Sequence, residues 1–210
     1  SNYVPNCIVK TEVSCSVEEL NSLEPNTPDF ANKIIQAIDI ANSDVHRAVT
    51  HNKGIMNGID ATVIATGNDF RAIEAGAHAY ASRNGRYQSL SNAFISKNTF
   101  NFELTIPLAI GTVGGVTNLH PLVKLALEIL KNPNAKELMK IIACVGLAQN
   151  FGALRSLVTS GIQKGHMKMH LINLLNKYDL SIDEKKLAIE YFKDKTVSSS
   201  NVESFINKLR

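Results

Sequence analysis

The sequence predicts an α+β fold: a few strands and packed helices, followed by a small helical C-terminal subdomain. Three observations lead there. Residues 7–17, CIVKTEVSCSV, alternate apolar with polar or charged side chains over most of their length, the period-2 signature of a half-buried strand. Residues 87–95 and 99–110 read as two more strands around a polar Ser-Lys-Asn turn. From Pro121 onward the pattern is helical, and after Gly161 or Gly165 the composition shifts toward Lys, Asp and Glu. The expected division is 1–162 for the strand-containing portion and 163–210 for the helical subdomain.

After the first strand, Thr27-Pro28-Asp29 predicts a helix over about 28–41, with Thr27 as N-cap, Pro28 at the first helical position, and Ile34, Ile35 and Ile38 on one face. Ser43-Asp44 is a second capping signal, opening a segment toward Thr50 that is expected to stop at Gly54, with Asn57-Gly58 as a turn. Residues 59–66, IDATVIAT, are β-branched enough for a strand and Ala-rich enough for a buried helix, and periodicity leaves both open. Asn68-Asp69 caps the next helix, FRAIEAGAHAYASR, which Gly85 ends. The second hairpin strand runs into GTVGGVT, a Gly-rich loop. PLVKLALEILK and then residues 134–165 follow as helix interrupted only by glycines, and amphipathic helices are expected near 169–177, 183–193 and 200–209.

At 210 residues and 44% hydrophobic, the chain can bury a sizeable core. Its net charge of +3, from 22 basic and 19 acidic residues without a long like-charge block, does not support a nucleic-acid footprint. No window approaches 18 uninterrupted apolar residues and the N-terminus lacks a basic-then-apolar leader, so the expectation is a cytoplasmic protein with no membrane association. Cys7, Cys15 and Cys144 are odd in number and lack CxxC spacing, which argues for reduced thiols and against a zinc site.

Lys53 lies in HNKGIMNGID, where Asp60 is the nearest carboxylate along the chain. Such a lysine either points out of a buried hairpin or is held in a cleft for use. Asp69 is separated from it by Gly54, Gly58 and Gly67, so only tertiary folding can join them. Joined, the carboxylate keeps the ammonium charged, and the fixed cation can stabilise a developing oxyanion. Apart, Lys53 is a surface side chain and Asp69 an N-cap. Gly111, Gly114 and Gly115 follow a strand, where backbone N–H groups can cradle phosphate, but their spacing is neither GxGxxG nor GxxxxGK[ST] and an ordinary turn explains them. His166 and His170 share a helix face in GHMKMH; with no HExxH glutamate and no third ligand, no metal is assigned. A single catalytic His166 at a helix start, made accessible by Gly165, suits the residues better, beside the plainer reading of a surface histidine.

Taken in order, HNKGIMNGID, ATGNDFRAIEAGAHAYASRNGRY, IPLAIGTVGG and LAQNFGALRSLVTSGIQKGHMKMH resemble the C-terminal half of class II, soluble prokaryotic 3-hydroxy-3-methylglutaryl-CoA (HMG-CoA) reductases. The likeness runs from Ser1 to about His170, and several long motifs in the right order make it specific. It implies reduction of HMG-CoA to mevalonate and CoA by two hydride transfers from NADH or NADPH, through a mevaldyl-CoA hemithioacetal and mevaldehyde. By position, Lys53 matches the catalytic lysine, Asp69 the aspartate that hydrogen-bonds it, and His166 the flap histidine that protonates the departing CoA thiolate. Arg47 matches the arginine that pairs with the HMG carboxylate, a task suited to a bidentate guanidinium. Asn57 and Gln149 match substrate contacts, and Asn2 a contact toward the nicotinamide cofactor.

The family chain is roughly twice this long. Its N-terminal half carries the catalytic glutamate, the CoA-binding elements and the small dinucleotide-binding domain with its DAMGAN motif, none of which occurs in this sequence. The resemblance therefore implies a component that acts with a separate N-terminal half chain, with active sites at the interface of a homodimer or larger oligomer. The alternative is a non-catalytic remnant that binds CoA thioesters or a partner; metal-assisted hydrolysis by His166 and His170 is a pattern-level third reading.

Overall fold

The computed structural model describes residues 1–115, 119–193 and 195–209, except for the side chains of 162–166 and 168. The chain divides into two compact units, 1–159 and 160–210. The fold is α+β, with a three-stranded antiparallel sheet in the order β1-β3-β2.

In the first unit, β1 (Ile8–Ser16) pairs along its length with β3 (Thr99–Pro107), which also pairs with β2 (Ser91–Ser96). The β2–β3 hairpin closes over two residues, Lys97 and Asn98, both with positive φ (49° and 62°), the geometry that matches the twist of paired strands. β3 turns Phe100, Phe102, Leu104 and Ile106 to the core. β1 buries only Val9 to the same degree and leaves Val13 54% exposed, so the expected half-buried strand is a more exposed edge.

Helix α1 (Val17–Ser22) has no counterpart in the sequence reading, although Ser16 and Glu19 form a complete capping box at its start. Helix α2 (Phe30–Ser43) begins two residues beyond Pro28. Asp29, not Thr27, is its N-cap, in the left-handed region at φ 57°, and the Asn21 Oδ1 of α1 accepts the orphan Ala31 N–H at 2.9 Å. The cap comes from a neighbouring helix, which a local motif search does not see.

The largest correction concerns α3 (Val45–Ala65), one unbroken helix capped by Asp44. Gly54 does not stop it, Asn57-Gly58 is not a turn, and 59–66 is not a strand. The glycines serve packing against α6 (Ala135–Val158). A Cβ on Gly58 would lie 2.9 Å from the Gln149 Cβ and 3.0 Å from the Val145 carbonyl oxygen, and one on Gly146 would lie 2.8 Å from the Ile59 Cγ1. Two helix backbones this close leave no room for side chains at the contact.

Helix α4 (Phe70–Ala81) is capped by Asp69 as expected, and α5 (Pro121–Ile129) starts with Pro121 at its N-terminus. Residues 116 and 117 of the Gly-rich loop lie outside the described residues. α6 is long and apolar enough to cross a membrane by length and composition alone, yet it buries Leu138, Ile142, Leu147 and Leu154 in the core of this unit.

The second unit comprises α7 (Ile162–Leu175), α8 (Ile182–Tyr191) and α9 (Ser199–Leu209). The helix expected from 134 to 165 ends at Val158, and Gly161 at φ 80° precedes α7. Leu171, Leu175, Ala188, Phe192, Val202 and Ile206 form a separate core, with Tyr191 stacked on Phe205 at 4.4 Å between ring centroids.

Candidate active site

α3 carries three of the candidate residues, Arg47, Lys53 and Asn57, and its helical phase decides which way each faces. His51, Ile55, Ile59 and Val63 fall on one buried stripe, while Lys53 and Asn57, four residues apart, share an exposed one. Gly58, the neighbour of Asn57 along the chain, meets Gln149 across the α3–α6 contact, and Asn57 and Gln149 are both exposed. Arg47 stands near the start of α3, partly buried, and that burial lowers its pKa.

Asp69 is placed differently. Its Oδ1 accepts the backbone N–H of Arg71 at 3.1 Å and of Ala72 at 3.3 Å, and the Arg71 Nε at 3.4 Å. The Ala72 N–H foremost, with help from Arg71, holds its carboxyl below the usual carboxylate range. Among the described residues Asp69 makes its ion pair with Arg71, and no ion pair joins it to Lys53. Beside it, Asn68 Oδ1 accepts the Gly111 N–H at 2.9 Å, which ties the start of the Gly-rich loop to the α3–α4 corner. Asn2 lies against α4 and lines a cavity of about 120 Å³ together with Ala72, Ile73 and Gly76. His166 falls within α7 and not at its start, and its side chain lies outside the described residues.

Sequence reasoning missed the polar groups that α3 buries. His51 (2% exposed), Ser91 and Asn150 form a closed cluster: His51 Nε2 is 2.8 Å from Ser91 Oγ, and Ser91 Oγ donates to Asn150 Oδ1 at 2.7 Å. Asn52 donates to the Gln88 carbonyl at 2.8 Å and accepts the Leu90 N–H at 3.0 Å. The two residues before Lys53 thus clamp α3 to the lead-in of β2, and His51 reaches α6 as well. Burial, and then the charge of Arg47, push the His51 imidazole down to about 4. Farther along α3, burial and then the neighbouring Glu74 raise the Asp60 carboxyl to about 7. Reading 51–63 at helical period would have exposed the buried stripe; the glycines hid it.

The comparisons with known proteins decide what this surface belongs to. Residues 1–171 match the family model of hydroxymethylglutaryl-coenzyme A reductase. The chain belongs to that family. It is 49% identical over 158 residues to the 3-hydroxy-3-methylglutaryl-coenzyme A reductase of Archaeoglobus fulgidus, covering 75% of this chain and 36% of that one. Among solved structures it resembles the Streptococcus pneumoniae reductase with a TM-score of 0.73 at 43% identity, over 100% of this chain and 51% of that one. It also resembles the class II pneumococcal reductase bound to NADPH in open conformations, with a TM-score of 0.72 at 43% identity. The chain thus spans about a third to a half of the length of these reductases.

The cavity beside Asn2 is too small to hold a whole nicotinamide cofactor. A pocket for a whole small ligand encloses about 300–1,000 Å³, and the cavity beside Asn2, at about 120 Å³, accommodates a ring or an amide and not a dinucleotide.

Proposed function

We propose that the chain is the C-terminal component of an HMG-CoA reductase that carries out the NAD(P)H-dependent four-electron reduction of HMG-CoA to mevalonate and CoA, or the reverse. The observation that supports this reading is the match of residues 1–171 to the reductase family, beside the exposure of Lys53 and Asn57 one helical turn apart on α3 and the tight α3–α6 contact at Gly58 and Gln149. The cofactor supplies hydride; the chain's own residues manage charge and position. Lys53 is held on a rigid helix as a cation facing solvent, where it polarises the thioester carbonyl and stabilises each oxyanion. Asp69 pairs with that lysine once substrate and the N-terminal half complete the site, in exchange for Arg71. Arg47 takes the substrate carboxylate through a bidentate contact, and Asn57 and Gln149 orient the acyl group. His166 protonates the departing CoA thiolate, which keeps it from adding back. Asn2 contacts the nicotinamide end of the cofactor. The working unit is a cytoplasmic homodimer or larger oligomer that includes an N-terminal half, with 1–162 as the substrate-binding portion and 163–210 as the flap.

The test is HMG-CoA-dependent oxidation of NADH and NADPH, followed by absorbance, with this chain alone and then mixed with the N-terminal half of a family member. Activity in the mixture only is the expected outcome. A folded chain that is silent in both settings overturns the reading in favour of a non-catalytic, CoA-thioester-binding role.

A further inference from the structure

The buried cluster beneath Lys53 leaves one atom unexplained. His51 Nδ1 is buried and has no hydrogen-bond partner among the described residues. Counting protons shows what that atom is. The Ser91 hydroxyl has a single hydrogen, and it is donated to Asn150 Oδ1 at 2.7 Å. The 2.8 Å contact between Ser91 Oγ and His51 Nε2 then needs its proton from the ring, so we place the hydrogen of His51 on Nε2; the 3.5 Å approach of Asn150 Nδ2 to that same atom is then one of two donors facing each other and no hydrogen bond. Burial disfavours the doubly protonated cation. Nδ1 is therefore a bare lone pair, an acceptor waiting for a donor in a nearly dry place.

One donor is at the right spacing, although the structure records no hydrogen bond from it to Nδ1. Arg47 is four residues before His51 on α3, the spacing at which side chains on a helix meet, and its charge is the one that acts on the ring. Building on the reading of Arg47 as the ligand of the substrate carboxylate, we infer that His51 is a positioning residue: its Nδ1 accepts a guanidinium N–H of Arg47 and aims the remaining N–H groups of the fork at the substrate. The chain Asn150–Ser91–His51–Arg47 then runs from α6 through β2 to α3, so the helix that presents Gln149 also sets the angle of Arg47. A guanidinium has five N–H donors, so one can be spent on Nδ1 while a bidentate pair remains for a carboxylate.

Two measurements test this. In ¹⁵N spectra of the 210-residue chain at neutral pH, His51 should show a protonated Nε2 and an unprotonated, hydrogen-bonded Nδ1 whose resonance moves in Arg47→Met. A proton on Nδ1, or an Nδ1 resonance indifferent to Arg47→Met, overturns the inference, and no substrate is needed to see it. In the reconstituted reductase, His51→Gln keeps a donor where Nε2 was and deletes Nδ1. It should raise the KM for HMG-CoA about tenfold, within the coupling range of hydrogen-bonded neighbours, with kcat within about twofold. In an Arg47→Met background the same change should add nothing further. A merely structural His51 would instead give effects that add, and that result overturns the positioning role. If Arg47→Met alone leaves KM unchanged, the carboxylate reading of Arg47 fails and takes the KM consequence with it, while the ring spectrum still decides whether Arg47 holds Nδ1.

Discussion

The two ends of α3 bury polarity in opposite ways. Toward its start, His51 and Asn52 are almost wholly enclosed and, save for Nδ1, matched by hydrogen bonds to β2, its lead-in and α6. Toward its end, Asp60 is only partly buried and faces a second carboxylate, Glu74 of α4. The first arrangement fixes one geometry, because each buried group has a partner that a shift would lose. The second fixes none; two like charges share a site and one is pushed to stay protonated. Lys53 stands on the outer face beside the rigid end, and Asn57 on the same face nearer to Asp60. The contrast teaches that the same helix is stiff where it presents Lys53 and tunable farther along.

The largest effect should come from the exposed face. Lys53→Ala removes a cation that makes no side-chain hydrogen bond or ion pair among the described residues, so thermal stability should be unchanged, whereas kcat of the reconstituted reductase should fall about 100- to 1,000-fold, as for loss of an oxyanion stabiliser. A parallel loss of Tm would break the distinction between outer and inner faces. Asn52→Leu makes the reverse test. It leaves the Leu90 N–H and the Gln88 carbonyl without their partner and should cost about 2–4 kcal/mol in urea unfolding, taking each orphaned group at the usual penalty. A cost below about 1 kcal/mol would mean that water replaces Asn52 and that this end is no stiffer than the other.

Gly58→Ala probes the contact that joins the two candidate helices. Its Cβ would meet backbone, the Val145 carbonyl oxygen at 3.0 Å, as well as the Gln149 Cβ at 2.9 Å. The helices must separate, at about 1–3 kcal/mol of overpacking strain. Activity should drop with stability, because the contact that sets Gln149 against α3 is lost. Unchanged KM and kcat in this variant would dissociate Gln149 from the site.

This contact also marks how far the sequence was legible. The strand at residues 8–16, the hairpin and the Asp69 cap follow from local rules, since each depends on neighbours within a few residues. α3 does not. Gly54 and Gly58 carry the same letters whether they break a helix or admit another helix, and only the presence of α6 decides. With α3 misread, His51 and Asn52 had no reason to be noticed, although their spacing to Ile55, Met56 and Ile59 is helical. Long motifs named the candidate residues by likeness, but likeness is silent on pairing: among the described residues Asp69 is paired with Arg71 and has no ion pair with Lys53.

The smallest effects should appear as slopes of stability against pH, and here the two ends of α3 oppose each other. His51 has its folded pKa depressed to about 4 from an ordinary 6.5, so between those values the unfolded chain binds more protons and stability rises with pH. Asp60 has its folded pKa raised to about 7 from an ordinary 3.8, so across that window the folded chain binds more protons. Its contribution is full below the unfolded pKa and is lost as pH rises through about 7. From about pH 4 to 6.5 the two slopes partly cancel, with the Asp60 share reduced by solvent screening. Asp60→Asn should remove the falling slope, so that the variant gains on the parent steadily from pH 4 to pH 7 in urea unfolding. His51→Gln should do the opposite and leave the parent's advantage growing from pH 4 to pH 6.5. Were both variants to track the parent at a constant offset, neither end of α3 would be coupled to protons. Were Asp60→Asn alone to do so, Asp60 would be solvated like any surface carboxylate, and the contrast between a stiff end and a tunable end would reduce to the His51 cluster.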